Sequence, residues 1–219
     1  IFATNVNTSI SDVLSTARYA GSGLNSTLAG YTMGGDDTAI IDKLLFSTGS
    51  NGLLVGKTLV TARNYTAGYN SSTTGYTVGG YHTGAEKKSI EKIVFTTEAT
   101  SDTTKTLQAN MRNMAAFNST LIGYTTGGYS GVVKVTTIEK YVFATDTRTT
   151  ISAHLVYARQ EAGAYNSLLA GYTVAGDTGF PTDSIEKFTF ATEQNNLMAT
   201  TLTTTRRYAM CGFQSGGIL

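Results

Sequence analysis

Tryptophan is absent from this 219-residue sequence, cysteine and proline occur once each, and histidine occurs twice. Each scarcity excludes something. A single cysteine, Cys211, gives neither a disulfide framework nor zinc-ligand spacing. Charged residues make up 14% and the net charge is +1. The clustered Lys and Arg that neutralise phosphates are therefore missing, and no nucleic-acid partner is expected. No apolar run approaches the roughly 18–20 residues of a membrane-spanning helix, so membrane insertion is not expected either. No signal-peptide pattern is visible, and the chain does not begin with Met. No convincing amphipathic helix is seen; the region 105–116 could pass for one, but the repeat alignment overrules it.

What is present is one paragraph of sequence written several times. A Gly-Tyr pair occurs at Gly30-Tyr31, Gly75-Tyr76, Gly123-Tyr124 and Gly171-Tyr172. Each is followed by Thr and then by a small pair, Gly34-Gly35, Gly79-Gly80, Gly127-Gly128 and Ala175-Gly176. After a loop come Ile41-Asp42-Lys43, Ile90-Glu91-Lys92, Ile138-Glu139-Lys140 and Ile185-Glu186-Lys187, and then a Phe at 46, 95, 143 and 190. Phe2 holds the same place in a fifth copy, and the Phe-to-Phe steps are 44, 49, 48 and 47 residues. An Arg closes each unit at Arg18, Arg63, Arg112, Arg159 and Arg207, ahead of a polar pair at Asn25-Ser26, Asn70-Ser71, Asn118-Ser119, Asn166-Ser167 and Gln214-Ser215. A fixed period of about 40–50 residues points to a repeat array or propeller.

The units are strand-like, because Thr, Tyr, Val, Ile and Phe favour extended backbone. Three residues before each Asn or Gln stands a small side chain: Ser22, Ala67, Ala115, Gly163 and Cys211. Small residues at a recurring position suggest strands crowded around a narrow axis. In the Ile90–Phe95 run, period two puts Ile90, Lys92 and Val94 on one face and Glu91, Ile93 and Phe95 on the other. Both faces carry apolar groups, so this strand is expected between neighbouring sheets, with the less regular last strand of each unit outermost.

Four short strands per unit is the pattern of a propeller blade. The order Arg, small-residue strand, Tyr-x-x-Gly-Gly, loop, Ile-Glu-Lys-x-x-Phe, outer strand resembles the kelch repeat over nearly the whole chain. It departs from that repeat in lacking the outer-strand Trp. The Thr-rich wording also resembles bacteriophage and other virus structural proteins. The resemblance implies an all-β, kelch-like β-propeller of about five four-stranded blades, one domain over 1–219. Its units run approximately 1–18 (partial), 19–63, 64–112, 113–159, 160–207 and 208–219 (partial). Incomplete terminal units are expected to belong to a longer chain, or to be completed by a partner. A kelch-like copper radical oxidase exists, but its Tyr–Cys crosslink and His ligands do not map onto Cys211 and the two histidines.

Candidate functional residues lie in the loop after the small pair, which differs in every unit. Asp36, Asp37, Tyr81, His82, Tyr129, Asp177 and Phe180 offer aromatic and polar groups suited to sugars or a protein surface. His82 and His154 occupy different repeat positions and read as ordinary surface histidines, and Cys211 as a small buried side chain. No catalytic residue, metal site or cofactor is expected. The recurrent Arg18, Arg63, Arg112, Arg159 and Arg207, with Asp42, Glu91, Glu139 and Glu186, read as structural ion pairing between and within units. The sequons at Asn7, Asn25, Asn64, Asn70 and Asn118 carry little weight in so Ser/Thr-rich a chain. The expected function is a non-enzymatic binding or attachment module, extracellular or on a virion, recognising a glycan or a cell-surface protein. The alternatives are a structural repeat contacting copies of itself or a larger assembly, and a propeller enzyme, a hydrolase or oxidase.

Overall fold

Each repeat folds into its own antiparallel sheet, and the chain visits the four strands of a sheet in order. The computed structural model describes residues 12–208; Phe2, Asn7, Cys211 and the Gln214-Ser215 pair lie outside them. Sheet I consists of β1 (Ser22–Asn25), β2 (Ala29–Met33), β3 (Ile40–Leu45) and β4 (Asn51–Thr58). Sheet II consists of β5 (Ala67–Asn70), β6 (Thr74–Val78), β8 (Ala85–Val94) and β9 (Ala99–Met111), with the short β7 (Tyr81–His82) folded back on the start of β8. Sheet III is β10 (Ala115–Asn118), β11 (Ile122–Thr126), β12 (Thr137–Val142) and β13 (Thr147–His154). Sheet IV is β14 (Gly163–Asn166), β15 (Ala170–Val174), β16 (Thr182–Thr189) and β17 (Gln194–Arg206). Among the described residues there is no helix, and the 105–116 region is the end of β9 and the start of β10.

The first strands of consecutive sheets are neighbours: β1 touches β5, β5 touches β10, and β10 touches β14. The small residues expected at a crowded axis open these strands and are buried, Ser22 and Ala67 at 5% exposure and Ala115 at 4%. The last strands, β4, β9, β13 and β17, are mostly exposed. The core therefore lies between sheets. Ile93 packs with Leu24 and Tyr31 of sheet I, while Ile90 packs with Tyr76, Met111 and Tyr141. Burying one such side chain contributes about 1.5–3 kcal/mol.

The repeated motif acquires its meaning at these contacts. A Cβ on Gly75, Gly123 or Gly171 would fall inside Leu24, Tyr69 or Phe117 of the preceding sheet. In sheets II to IV glycine precedes Tyr because a neighbouring side chain occupies the space. The Tyr that follows stacks on the Phe of the next sheet: Tyr31 on Phe95, Tyr76 on Phe143 and Tyr124 on Phe190, with centroids 5.4, 5.2 and 5.6 Å apart. The Lys of the Ile-acid-Lys triplet also reaches forward. Lys43 pairs with Glu98, Lys92 with Asp146 and Lys140 with Glu193, each acid in the turn before the last strand. The small pair has a conformational reason as well. Its second member, Gly80, Gly128 or Gly176, has φ of 103, 111 or 99°, outside the left-handed helical region open to L-residues. The first member stays near 60°, and there Ala175 substitutes for Gly at φ 57°.

Candidate functional site

Two kinds of connection meet on one side of the four sheets. One is the variable loop between the second and third long strands; the other is the link from the last strand of a sheet to the first strand of the next. The backbone N–H of Gly35 donates to Arg63 O at 2.9 Å, Gly80 to Met111 O at 2.8 Å, Gly128 to Arg159 O at 2.8 Å and Gly176 to Arg206 O at 3.0 Å. This ladder defines the true register of the links. Arg63, Met111, Arg159 and Arg206 are equivalent.

The register corrects two members of the Arg series. Arg18 pairs with Asp42 at 2.7 Å, Arg63 pairs with Glu91, and Arg159 pairs with Glu186 at 2.6 Å. Arg63 and Arg159 are fully buried. Each acid also receives backbone N–H groups of the link, Val60 and Thr61 on Glu91, and Val156 and Tyr157 on Glu186. Burial is the largest influence on the Arg63–Glu91 pair, pushing the guanidinium down and the carboxyl up. Arg112 is not part of this set, because Met111 takes the buried place. Glu139 instead accepts Gln108 N with both oxygens at 3.1 Å and lies 3.4 Å from Arg148 Nε. Burial pushes its carboxyl up. Arg207 is displaced by one residue in the same way, and its guanidinium lies over the Tyr208 ring, 4.9 Å from the centroid.

The displacement brings Arg112 out onto the loop face, its side chain 27% exposed. Its guanidinium carbon lies 4.8 Å from the Tyr81 ring centroid, 5.2 Å from Tyr129 and 5.9 Å from Tyr65. Glu86 Oε1 is 3.6 Å from its Nε, beyond hydrogen-bond distance. Backbone pairing fixes the cluster: Asn64 exchanges two hydrogen bonds with Tyr81, and Arg112 exchanges two with Tyr129. In sheet II the loop is a two-residue hairpin, with Thr83 and Gly84 at φ 47° and 85°, the signature of a primed turn.

Asp36 donates its N–H to Tyr19 O at 2.9 Å, the place that Tyr81, Tyr129 and Asp177 hold in the other sheets. Asp37 meets the Nδ1 of His82 at 2.6 Å. Asp177 pairs with Lys134 at 3.0 Å and accepts from Gly179 N at 2.9 Å and Gln160 Nε2 at 3.3 Å. Burial pushes the Asp177 carboxyl up, but these donors outweigh it and hold the group below the usual carboxylate range. Phe180 stands alone at 83% exposure. The structure thus brings together Tyr81 with Tyr129 and Asp37 with His82. It does not bring Phe180 or Asp36 into either group. His154 lies in exposed β13, away from His82. Asn70 and Asn118 are 8% and 4% exposed, and each side-chain amide donates to the next carbonyl, so neither leaves room for a glycan.

Arg112 is the site residue that a repeat alignment by residue type assigns to the wrong role. A spacing signal was available: Leu59–Arg63 and Leu155–Arg159 are four apart, whereas Leu107–Arg112 is five. Among the described residues no group of three or more His, Cys, Asp and Glu could hold a metal ion. Chemically, the face offers a flat cation walled by tyrosines, with N–H groups available at its edge.

The all-β architecture of four-stranded antiparallel sheets has a counterpart among solved structures. That of YjhT superposes with a TM-score of 0.73 at 13% sequence identity, covering 88% of this chain and 68% of that one. At this identity the likeness concerns fold alone. No protein-family model matches the sequence, and no curated protein matches it.

Proposed function

We propose that the four sheets are consecutive blades of a kelch-like β-propeller, and that the chain is a non-enzymatic binding or attachment module. In this reading it acts outside cells or on a virion and recognises a glycan or a surface protein through its loop face. The blade assignment is supported by the neighbouring first strands, by the Gly-against-aromatic contacts between sheets, and by the likeness to YjhT, a kelch-type propeller. The observation that carries the functional reading is Arg112, held over Tyr81 and Tyr129 with its Nε lacking a hydrogen-bond partner and Glu86 3.6 Å away. A guanidinium so placed is pre-oriented at little further entropic cost, and the flanking tyrosines present flat, amphipathic contact area of the kind enriched at binding hot spots.

The test is binding of the full chain to a glycan array and to intact cells, repeated with Tyr81→Ala and Tyr129→Ala. Each is expected to weaken binding by about tenfold or more, corresponding to about 1.4 kcal/mol, while thermal unfolding stays unchanged. Binding that survives both substitutions would remove the loop face from consideration. Particle or fibre incorporation without any ligand would favour the structural-repeat alternative.

A further inference from the structure

On the side of the sheets opposite the loop face, the turns between first and second strands converge on one cavity of about 360 Å³. Its walls come from the same four-residue turn in every sheet, opening with Asn25-Ser26, Asn70-Ser71, Asn118-Ser119 and Asn166-Ser167. No ionisable side chain lines it. The volume corresponds to about a dozen waters at ~30 Å³ each. It falls at the lower end of the roughly 300–1,000 Å³ range of small-molecule sites.

The turns use part of the cavity wall's hydrogen-bonding capacity themselves. Each Asn Nδ2 donates to the carbonyl of the following serine, at 3.4, 3.3, 2.9 and 3.4 Å in sheets I to IV. Each serine Oγ accepts the N–H three residues on, at 3.0, 3.0, 3.2 and 3.2 Å. One of the two N–H donors on each amide, and each serine hydroxyl, are therefore engaged in holding the turns. The carbonyl oxygens are less engaged. Asn118 Oδ1 accepts only a long bond of 3.4 Å from Asn70 N, and Asn70 Oδ1 is buried with no partner, on a residue 8% exposed. Asn70 Oδ1 carries almost no exposed surface, so a ligand reaches it only when the Asn70 amide turns toward the cavity; an acceptor left without a donor costs about 1–3 kcal/mol, which favours that turn when a hydroxyl donor is offered. At the mouth, Thr27, Ser72 and Thr120 are exposed, and Leu168 and Leu121 are 59% and 68% exposed.

We infer that this cavity is a second binding site, separate from the loop face, for an uncharged polyhydroxyl ligand such as one sugar unit of a neutral glycan. A charged group is disfavoured because no counter-charge lines the cavity to offset its desolvation. The Asn70 and Asn118 side-chain amides in the wall, and hydroxyl and leucine side chains at the mouth, match the hydroxyls and C–H faces of a sugar ring.

The experiment is titration of the full chain with free neutral monosaccharides, their methyl glycosides and a sugar acid, followed by saturation-transfer NMR and calorimetry. Ser72→Trp and Thr120→Trp obstruct the mouth from exposed positions, and Asn70→Leu removes the unpartnered acceptor. At least one neutral sugar is expected to bind saturably, with affinity falling about tenfold or more in Ser72→Trp and Thr120→Trp and unchanged in Tyr81→Ala. Methyl glycosides that bind as well as free sugars assign the site to a glycan unit; binding of the free sugars alone assigns it to a free monosaccharide. Thermal unfolding identifies any variant that fails to fold, and the two mouth variants keep the test valid if Asn70→Leu is one. The inference is overturned if no neutral sugar binds, if the mouth variants bind normally, if the sugar acid binds as tightly, or if Tyr81→Ala abolishes binding.

Discussion

Sheets II and IV close onto the preceding link with a buried guanidinium and a carboxylate, Arg63 with Glu91 and Arg159 with Glu186. Sheet III keeps the carboxylate, Glu139, but puts Met111 where the guanidinium belongs. The backbone half of the device persists in reduced form, since Gln108 N still donates to Glu139 as Val60 N does to Glu91, without a second link N–H. The comparison teaches that the acid's first task is to receive the link's N–H groups, and that the Arg neutralises a charge already buried for that purpose. Where the Arg is lost, Arg148 approaches from the outer strand of the same sheet, 3.4 Å from the carboxylate. The displaced cation, Arg112, is released to the surface and becomes the centre of the loop-face cluster.

The largest expected effect comes from making sheet IV resemble sheet III. Arg159→Met leaves Glu186 buried without its counter-charge and should cost roughly 3–5 kcal/mol in urea unfolding. A loss below about 1 kcal/mol would show that the guanidinium is dispensable and the comparison empty.

A smaller effect follows from Glu139, and it depends on pH. Burial raises this carboxyl above its ordinary value of 4.5, so the folded chain holds the proton more tightly than the unfolded chain. The stabilisation that results is fully present below the unfolded value and is lost as pH rises through the raised folded value. Glu139→Gln removes this dependence. The variant should exceed the parent by about 1 kcal/mol near neutrality, with the gap closing as the buffer is taken down through the carboxylate range. A pH-independent difference would mean that Arg148 neutralises Glu139 as completely as a buried Arg would.

The smallest stability effect is expected at Arg112. Arg112→Ala should unfold within about 0.5 kcal/mol of the parent, because the side chain is not part of the buried pairing. Ligand binding through the loop face should nevertheless fall. Loss of stability comparable to that of Arg159→Met would place Arg112 back among the structural cations.

Much of this was legible in the residues. The spacing of Gly-Tyr, small pair and Ile-acid-Lys located the strands, and the small residues Ser22, Ala67 and Ala115 marked the crowded first strands. The two-sided apolar pattern of Ile90–Phe95 correctly anticipated a strand held between neighbouring sheets. Less legible was the one-residue difference that separates Arg112 and Arg207 from Arg63 and Arg159. Residue type suggested one series; the five-residue Leu107–Arg112 spacing hinted at the shift, and the Gly80 N–H to Met111 O bond established it. The bulges beside each acid, for example between Ile40 and Asp42 and between Thr137 and Glu139, were also silent in the sequence. A bulge re-aims a side chain through pairing with another strand, which local pattern does not record.

The cavity was the least visible feature. Its Asn-Ser turns were plain as a repeat, yet nothing in any single turn shows that four of them face a common space. The sequence by itself determined the extended backbone, the strand periodicity and the positive-φ places that favour glycine, because φ preferences and local sterics act over a few residues. The tertiary structure decided which cation is buried, which is exposed and which loops meet. Those outcomes depend on register and on the stacking of one sheet against the next, where residues roughly 30–50 positions apart are brought into contact.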